Sequence, residues 1–149
     1  MRVSKGKDKK VVNTRVDTPT KQQFIPLFAL QQRPLTILEA LITYLREERT
    51  LSYHDIAKVI NRDERNIRDG YIKAKQKQNK QYKDTTNLPI PLIIFTNRNL
   101  SPLEVLVSYL KEVYSFTYHE IAILLQRDDR TIWTVCRRIS QKNKKREKQ

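Results

Sequence analysis

The chain is poor in the residues that punctuate or cross-link a fold. Among 149 residues it has two glycines, one cysteine, one methionine and one tryptophan. A lone Cys136 excludes an intrachain disulfide and fits a reducing compartment, so a cytoplasmic protein is expected. There is no glycine-rich phosphate loop, no Cys-x-x-Cys and no His-Glu-x-x-His. No apolar run approaches the ~18 residues of a membrane span. The longest, Ile90 to Phe95, is interrupted by Pro91. Met1 to Lys10 is basic but no apolar core follows it, so no signal peptide is expected. Scarce glycine beside abundant Ile, Leu, Lys and Arg suits helices.

What the chain does have is a repeat. Residues 25–77 align with 90–142 at a constant offset of 65, without a gap, and 21 of the 53 positions are identical. Two copies of this length are too few for a solenoid, and two small domains in tandem are expected. The predicted division is a disordered basic tail over 1–24, repeat one over 25–77, a linker over 78–89, repeat two over 90–142 and a basic tail over 143–149.

Positive charge is plentiful, with 30 Lys and Arg against 16 Asp and Glu, a net +14. It lies outside the repeat bodies. Residues 1–24 carry +5, 73–89 carry +4 and 141–149 carry +4, whereas 25–72 are neutral and 90–140 carry +1. Flexible cationic arms around near-neutral bodies suit phosphate contact through counterion release.

Each repeat contains three helix starts. In repeat two, Ser101-Pro102-Leu103-Glu104 is a capping box with proline at the first helical position. Leu103, Leu106, Val107 and Leu110 follow on one face. Thr117-Tyr118-His119-Glu120 opens a second helix, with Phe116 and Ile121 as its staple and Ile121, Ala122 and Leu125 inward. Gln126-Arg127 turns the chain. Asp128 then caps a third helix with Ile132, Cys136 and Ile139 inward. Repeat one matches: Thr36 and Glu39, then Ser52 and Asp55, then Asp63, with Leu38, Leu41, Ile42, Leu45, Ile56, Ala57, Ile60, Ile67, Tyr71 and Ala74 inward. The predicted fold is all-α: two tandem three-helix units. Only three positions separate Ile60 from Asp63, and Leu125 from Asp128, which is the short join of a helix-turn-helix.

The stretches Leu51-Ser-Tyr-His-Asp-Ile-Ala-Lys-Val-Ile-Asn-Arg-Asp and Phe116-Thr-Tyr-His-Glu-Ile-Ala-Ile-Leu-Leu-Gln-Arg-Asp, each followed by a third helix, resemble the region-4 helix-turn-helix of sigma-70-type factors. The resemblance covers about 27 residues of each repeat. It implies that the third helix reads the major groove of double-stranded DNA in transcription regulation, and that RNA polymerase is a possible second partner. This chain departs from the family in having Asn61 or Gln126 where the turn usually has glycine, in its tandem duplication, and in lacking a domain for the other promoter element.

On that expectation, the base-reading positions are Arg65, Asn66, Arg68, Asp69 and Lys73 in repeat one. In repeat two they are Arg130, Thr131, Trp133, Thr134, Arg137 and Arg138. Arg suits guanine, Asn suits adenine, and Thr packs on a thymine methyl. The stretches that differ most are Arg68-Asp69-Gly70 and Trp133-Thr134-Val135, so the repeats look like one frame with two unlike reading heads. Asp69 would be repelled by phosphates unless it is paired, and Gly70 costs about 1 kcal/mol relative to Ala inside a helix, so repeat one is either the poorer reader or reads a different sequence. Expected phosphate contacts are Ser52, Tyr53, His54 and Arg62, and Thr117, Tyr118, His119 and Arg127. His54 and His119 occupy equivalent places in separate repeats, so neither a metal site nor a catalytic histidine is expected; no enzyme and no cofactor are foreseen. The apolar arms Ile25-Pro-Leu and Ile90-Pro-Leu pack on their own repeat, between repeats or between subunits. Two other functions stay open: a docking adaptor for RNA polymerase, and an RNA-binding protein.

Overall fold

The computed structural model describes residues 23–31, 34–77 and 87–147. Most of the expected N-terminal tail and linker therefore lie outside the described residues. The described chain is mostly helical, as expected. Repeat one contributes strand β1 (Phe24–Pro26), a 3-10 turn (Leu27–Leu30), and helices α1 (Ile37–Glu47), α2 (Tyr53–Val59) and α3 (Glu64–Lys77). Repeat two gives β2 (Pro89–Pro91), a 3-10 turn (Leu92–Thr96), α4 (Pro102–Tyr114), α5 (Tyr118–Leu125) and α6 (Asp129–Glu147). Within each repeat the third helix packs on the first two.

The helix starts follow their capping chemistry. Thr36, Ser101 and Thr117 form reciprocal capping boxes with Glu39, Glu104 and Glu120, and Ser52 Oγ accepts from the Asp55 N–H. The helix ends are unusual. Among the described residues, the non-glycine positions with positive φ are Thr50, Asn61, Ser115 and Gln126, which form two equivalent pairs at the 65-residue offset. Asn61 (φ 56°) and Gln126 (φ 57°) stand between the second and third helices. Behind them the Arg62 N–H bonds Ala57 O and the Arg127 N–H bonds Ala122 O, both at 2.9 Å. These six-to-one bonds, with a left-handed residue before them, form a Schellman end. Both positions thus hold a left-handed backbone that glycine serves best, although neither is glycine.

The arms lie between the repeats. Strands β1 and β2 pair antiparallel, with Phe24 opposite Pro91, Ile25 opposite Ile90 and Pro26 opposite Pro89. Ile25 and Ile90 are equivalent positions, so a local twofold axis passes between them. The flanking bonds obey the same symmetry: Leu27 N–H to Leu88 O and Leu92 N–H to Gln23 O, both 2.9 Å. Hydrogen-bonded pairs recur at every second residue, so Pro26, Pro89 and Pro91 fall where no N–H faces the partner strand. Helices α1 and α4 also touch across this axis. The Gln31 amide donates to Leu124 O, and Asn61 Nδ2 donates to Thr96 O at 3.1 Å. One apolar core runs through both repeats, including Ile25, Leu41, Ile67, Ile90, Leu106 and Ile132.

Three expectations need correction. Val135, placed with the reading positions, is only 3% exposed. It falls on the inward stripe of Ile132 and Ile139 at helical spacing. Residues 143–147, assigned to a tail, continue α6 to Glu147. Straight-chain Lys, Arg and Glu favour helix, and cations suit its C-terminal end. Gly70 is a packing residue: a Cβ there would meet Ile42 Cδ1 at 2.8 Å. The equivalent pair in repeat two is Val107 and Val135, both buried. Where repeat one carries the larger Ile on its first helix, it gives up a side chain on its third.

Two outcomes are expected in chemical denaturation. Gln126→Gly should raise stability by about 1 kcal/mol, because it relieves a left-handed non-glycine residue. Asn61→Gly should gain less, since it loses the bond to Thr96 O. In a double-mutant cycle, Ile42→Val with Gly70→Ala should be more stable than the sum of the single changes by about 0.5–3 kcal/mol. Strict additivity would refute the volume exchange.

Candidate nucleic-acid interface

The third helices bury a narrow stripe and leave the rest in solvent. On α3, Ile67 and Ala74 are buried while Arg65, Asn66, Arg68, Asp69 and Lys73 are exposed. On α6, Ile132, Val135 and Ile139 are buried, and Arg130, Trp133, Arg137 and Arg138 are exposed. Thr131 and Thr134 are half-buried. The expected base-reading residues therefore stand on the outer sides of two helices, each entered through a sharp left-handed turn.

Several of these side chains have partners within the protein. The Arg68 guanidinium lies 5.5 Å from the Tyr53 ring centre and 3.8 Å from Glu64 Oε2. The Arg137 guanidinium lies 5.4 Å from the Trp133 ring centre. Such stacking orients a cation without consuming its hydrogen-bond donors. Asp63 Oδ1 accepts from the Arg65 N–H at 3.3 Å, as its role at the start of α3 requires.

The expected phosphate contacts divide. Ser52 and Thr117 are exposed but their hydroxyl oxygens already accept from the Asp55 and Glu120 N–H groups. Tyr53 is half-buried, with the Arg46 guanidinium 4.5 Å from its ring centre. Tyr118 remains exposed beneath the Lys111 ammonium at 4.6 Å. His54 Nδ1 is 3.4 Å from Glu64, and His119 Nδ1 is 2.9 Å from Asp129. The same histidine–carboxylate tie thus joins the start of the second helix to the first turn of the third in both repeats. Arg127 is half-buried and donates to Leu125 O at 3.5 Å. Arg62 is also half-buried. Its Nε and Nη2 are buried with no hydrogen-bond partner among the described residues. Burial, together with the nearby Arg98 charge, lowers its pKa.

One paired feature escaped the sequence reading. The capping-box carboxylates Glu39 and Glu104 are buried, at 7% and 4% exposure. Each receives a lysine from the far end of the third helix: Lys77 Nζ donates to Glu39 Oε1 at 2.8 Å, and Lys142 Nζ to Glu104 Oε1 at 2.7 Å. The same Oε1 atoms also accept the Thr36 and Ser101 N–H groups. One carboxylate therefore caps the first helix and anchors the third. All four residues are identical between repeats at the 65-residue offset, which was the available signal.

Among the described residues no group of three or more His, Cys, Asp or Glu could hold a metal ion, and no helix is long and apolar enough to cross a membrane. Comparison with protein-family models, with curated proteins and with solved structures finds no significant match.

Acid should weaken the capping-box anchors. Burial alone would raise the pKa of Glu39 and Glu104, but the lysine hydrogen bond, the cap N–H and the lysine charge together bring it below the ordinary 4.5. The folded state thus holds these carboxylates ionised more firmly than the unfolded state. Their contribution is complete above the unfolded value and is lost as pH falls through the lower folded value. Unfolding measured from pH 7 downward should show stability dropping below about pH 4.5. A Glu39→Gln/Glu104→Gln variant should be less stable at pH 7 and should show a flatter acid limb.

Proposed function

We propose that the protein binds double-stranded DNA as a sigma region 4-like transcription regulator, with α3 and α6 each presented to a major groove. The observation that carries this is the pairing of a short left-handed turn with an outward third-helix face, present twice. Arg65, Asn66 and Arg68 form one face; Arg130, Trp133 and Arg137 form the other. The net charge of +14, concentrated outside the repeat bodies, supplies the sequence-independent phosphate attraction.

The local twofold at Ile25 and Ile90 supports a further detail. Heads related by a twofold meet half-sites in inverted orientation. Arg65 and Arg130 match, but Asn66, Arg68 and Asp69 stand where repeat two has Thr131, Trp133 and Thr134, so the two half-sites should be inverted but unlike in sequence. Trp133, 48% exposed beside Arg137, favours a second reading in which the same face docks on RNA polymerase.

Selection from random duplex DNA should recover a two-part site, and its affinity should fall steeply with added salt. Arg130→Ala should cost about 1–3 kcal/mol and relax the base preference at one position. Recovery of no enriched motif would remove specific DNA reading. Retention on polymerase without DNA, undiminished by Arg130→Ala/Arg137→Ala, would favour the docking alternative.

A further inference from the structure

The repeat provides an internal control for a groove between α4 and α6. In repeat one the corresponding space is filled by Tyr71. Its hydroxyl donates to Glu47 Oε2 at 2.6 Å, and its ring centre lies 6.1 Å from that of Tyr53. The Arg46 guanidinium sits 5.9 Å from the Tyr71 ring and 4.5 Å from the Tyr53 ring. Lys75 Nζ completes the cluster 3.0 Å from Glu47 Oε2. The Glu47 hydrogen bond pushes the Tyr71 pKa up to about 12.

Repeat two keeps most of this frame and omits the ring. At the 65-residue offset, Glu47 is matched by Glu112, Arg46 by Lys111 and Tyr53 by Tyr118. The position of Tyr71 holds Cys136, and that of Lys75 holds Ser140. What remains is an open cavity of about 360 Å³ lined by Lys111, Glu112, Tyr118, Trp133, Cys136 and Arg137. This lies near the lower end of the roughly 300–1,000 Å³ of small-molecule sites. The Glu112 carboxylate has lost both its phenol donor and its lysine. Ser108 Oγ, at 3.3 Å, is a weak substitute. The Lys111 ammonium lies over Tyr118, and the Arg137 guanidinium over Trp133, so two aromatic rings border the space.

We propose that this groove is a binding site for a small phenolic molecule, whose ring takes the place that Tyr71 fills in repeat one and whose hydroxyl donates to Glu112. The aromatic walls supply apolar and edge contacts, and the carboxylate supplies direction and selectivity for a hydroxyl. The groove shares Trp133 and Arg137 with the proposed DNA-reading face, but the inference does not rest on that reading, because occupancy is measured without nucleic acid.

Trp133 is the chain's single tryptophan and lines the groove, so its fluorescence reports occupancy. Titrating the full-length protein with p-cresol should give a saturable change in emission. Toluene, which has the ring without the hydroxyl, should bind about tenfold more weakly. Cys136→Tyr installs the side chain that repeat one carries; it should keep the helical far-ultraviolet spectrum and lose the response. Glu112→Ala changes an exposed residue, covers the case in which Cys136→Tyr does not fold, and should reduce p-cresol affinity to that of toluene. The proposal is overturned by no saturable response in the wild-type chain, by equal affinity for p-cresol and toluene, by a folded Cys136→Tyr that responds like the wild type, or by unchanged p-cresol affinity in Glu112→Ala.

Discussion

Everything in the arrangement of the two repeats depends on the contact of Ile25 with Ile90. These side chains are 1% and 0% exposed and meet at the local twofold. A two-stranded ribbon of three residues a side is not stable alone. It persists here because both isoleucines belong to the common core, and because the prolines occupy positions from which no hydrogen bond is asked. The ribbon makes the duplicated chain resemble a symmetric dimer whose subunits happen to be covalently joined. Small units near the lower limit for independent folding thereby share one core.

Around that axis the same local ties recur. Glu39 with Lys77, and Glu104 with Lys142, link the start of a first helix to the end of a third. His54 with Glu64, and His119 with Asp129, link the second helix to the third. Exposed pairs of the histidine kind contribute little to stability, but they set orientation. Where the repeats differ inside the frame, volume explains the change. Ile42 opposite Gly70 becomes Val107 opposite Val135. The exception is Tyr71 against Cys136, where no other described side chain replaces the lost ring and a groove remains.

The all-helical fold was legible because helix starts are local. Thr36, Ser52, Ser101 and Thr117 each act within three residues of themselves, so spacing alone identifies them. The left-handed backbone of the turn was not legible: Asn61 and Gln126 were read as a short join, and their positive φ is set by the packed helix end. Val135 and Gly70 were placed with the reading positions, but both face inward on the third helices. A helical wheel with Cys136 as an inward residue leaves Val135 outside, while the packed helix turns Val135 in and leaves Cys136 half-buried. The candidate site was legible as a set of exposed positions; its stacking of Arg68 on Tyr53 and Arg137 on Trp133 was not.

By itself the sequence determined that the chain is built twice, where each helix begins, and that its excess charge sits outside the repeat bodies. Those properties follow from short-range chemistry and arithmetic. Only the tertiary structure decided that the apolar arms cross between repeats, that capping carboxylates also anchor distant lysines, and that one repeat keeps a groove where the other has a phenol. Each of these depends on residues tens of positions apart sharing the same few ångströms. Spacing along a chain cannot specify which of several apolar or charged partners will fill that space.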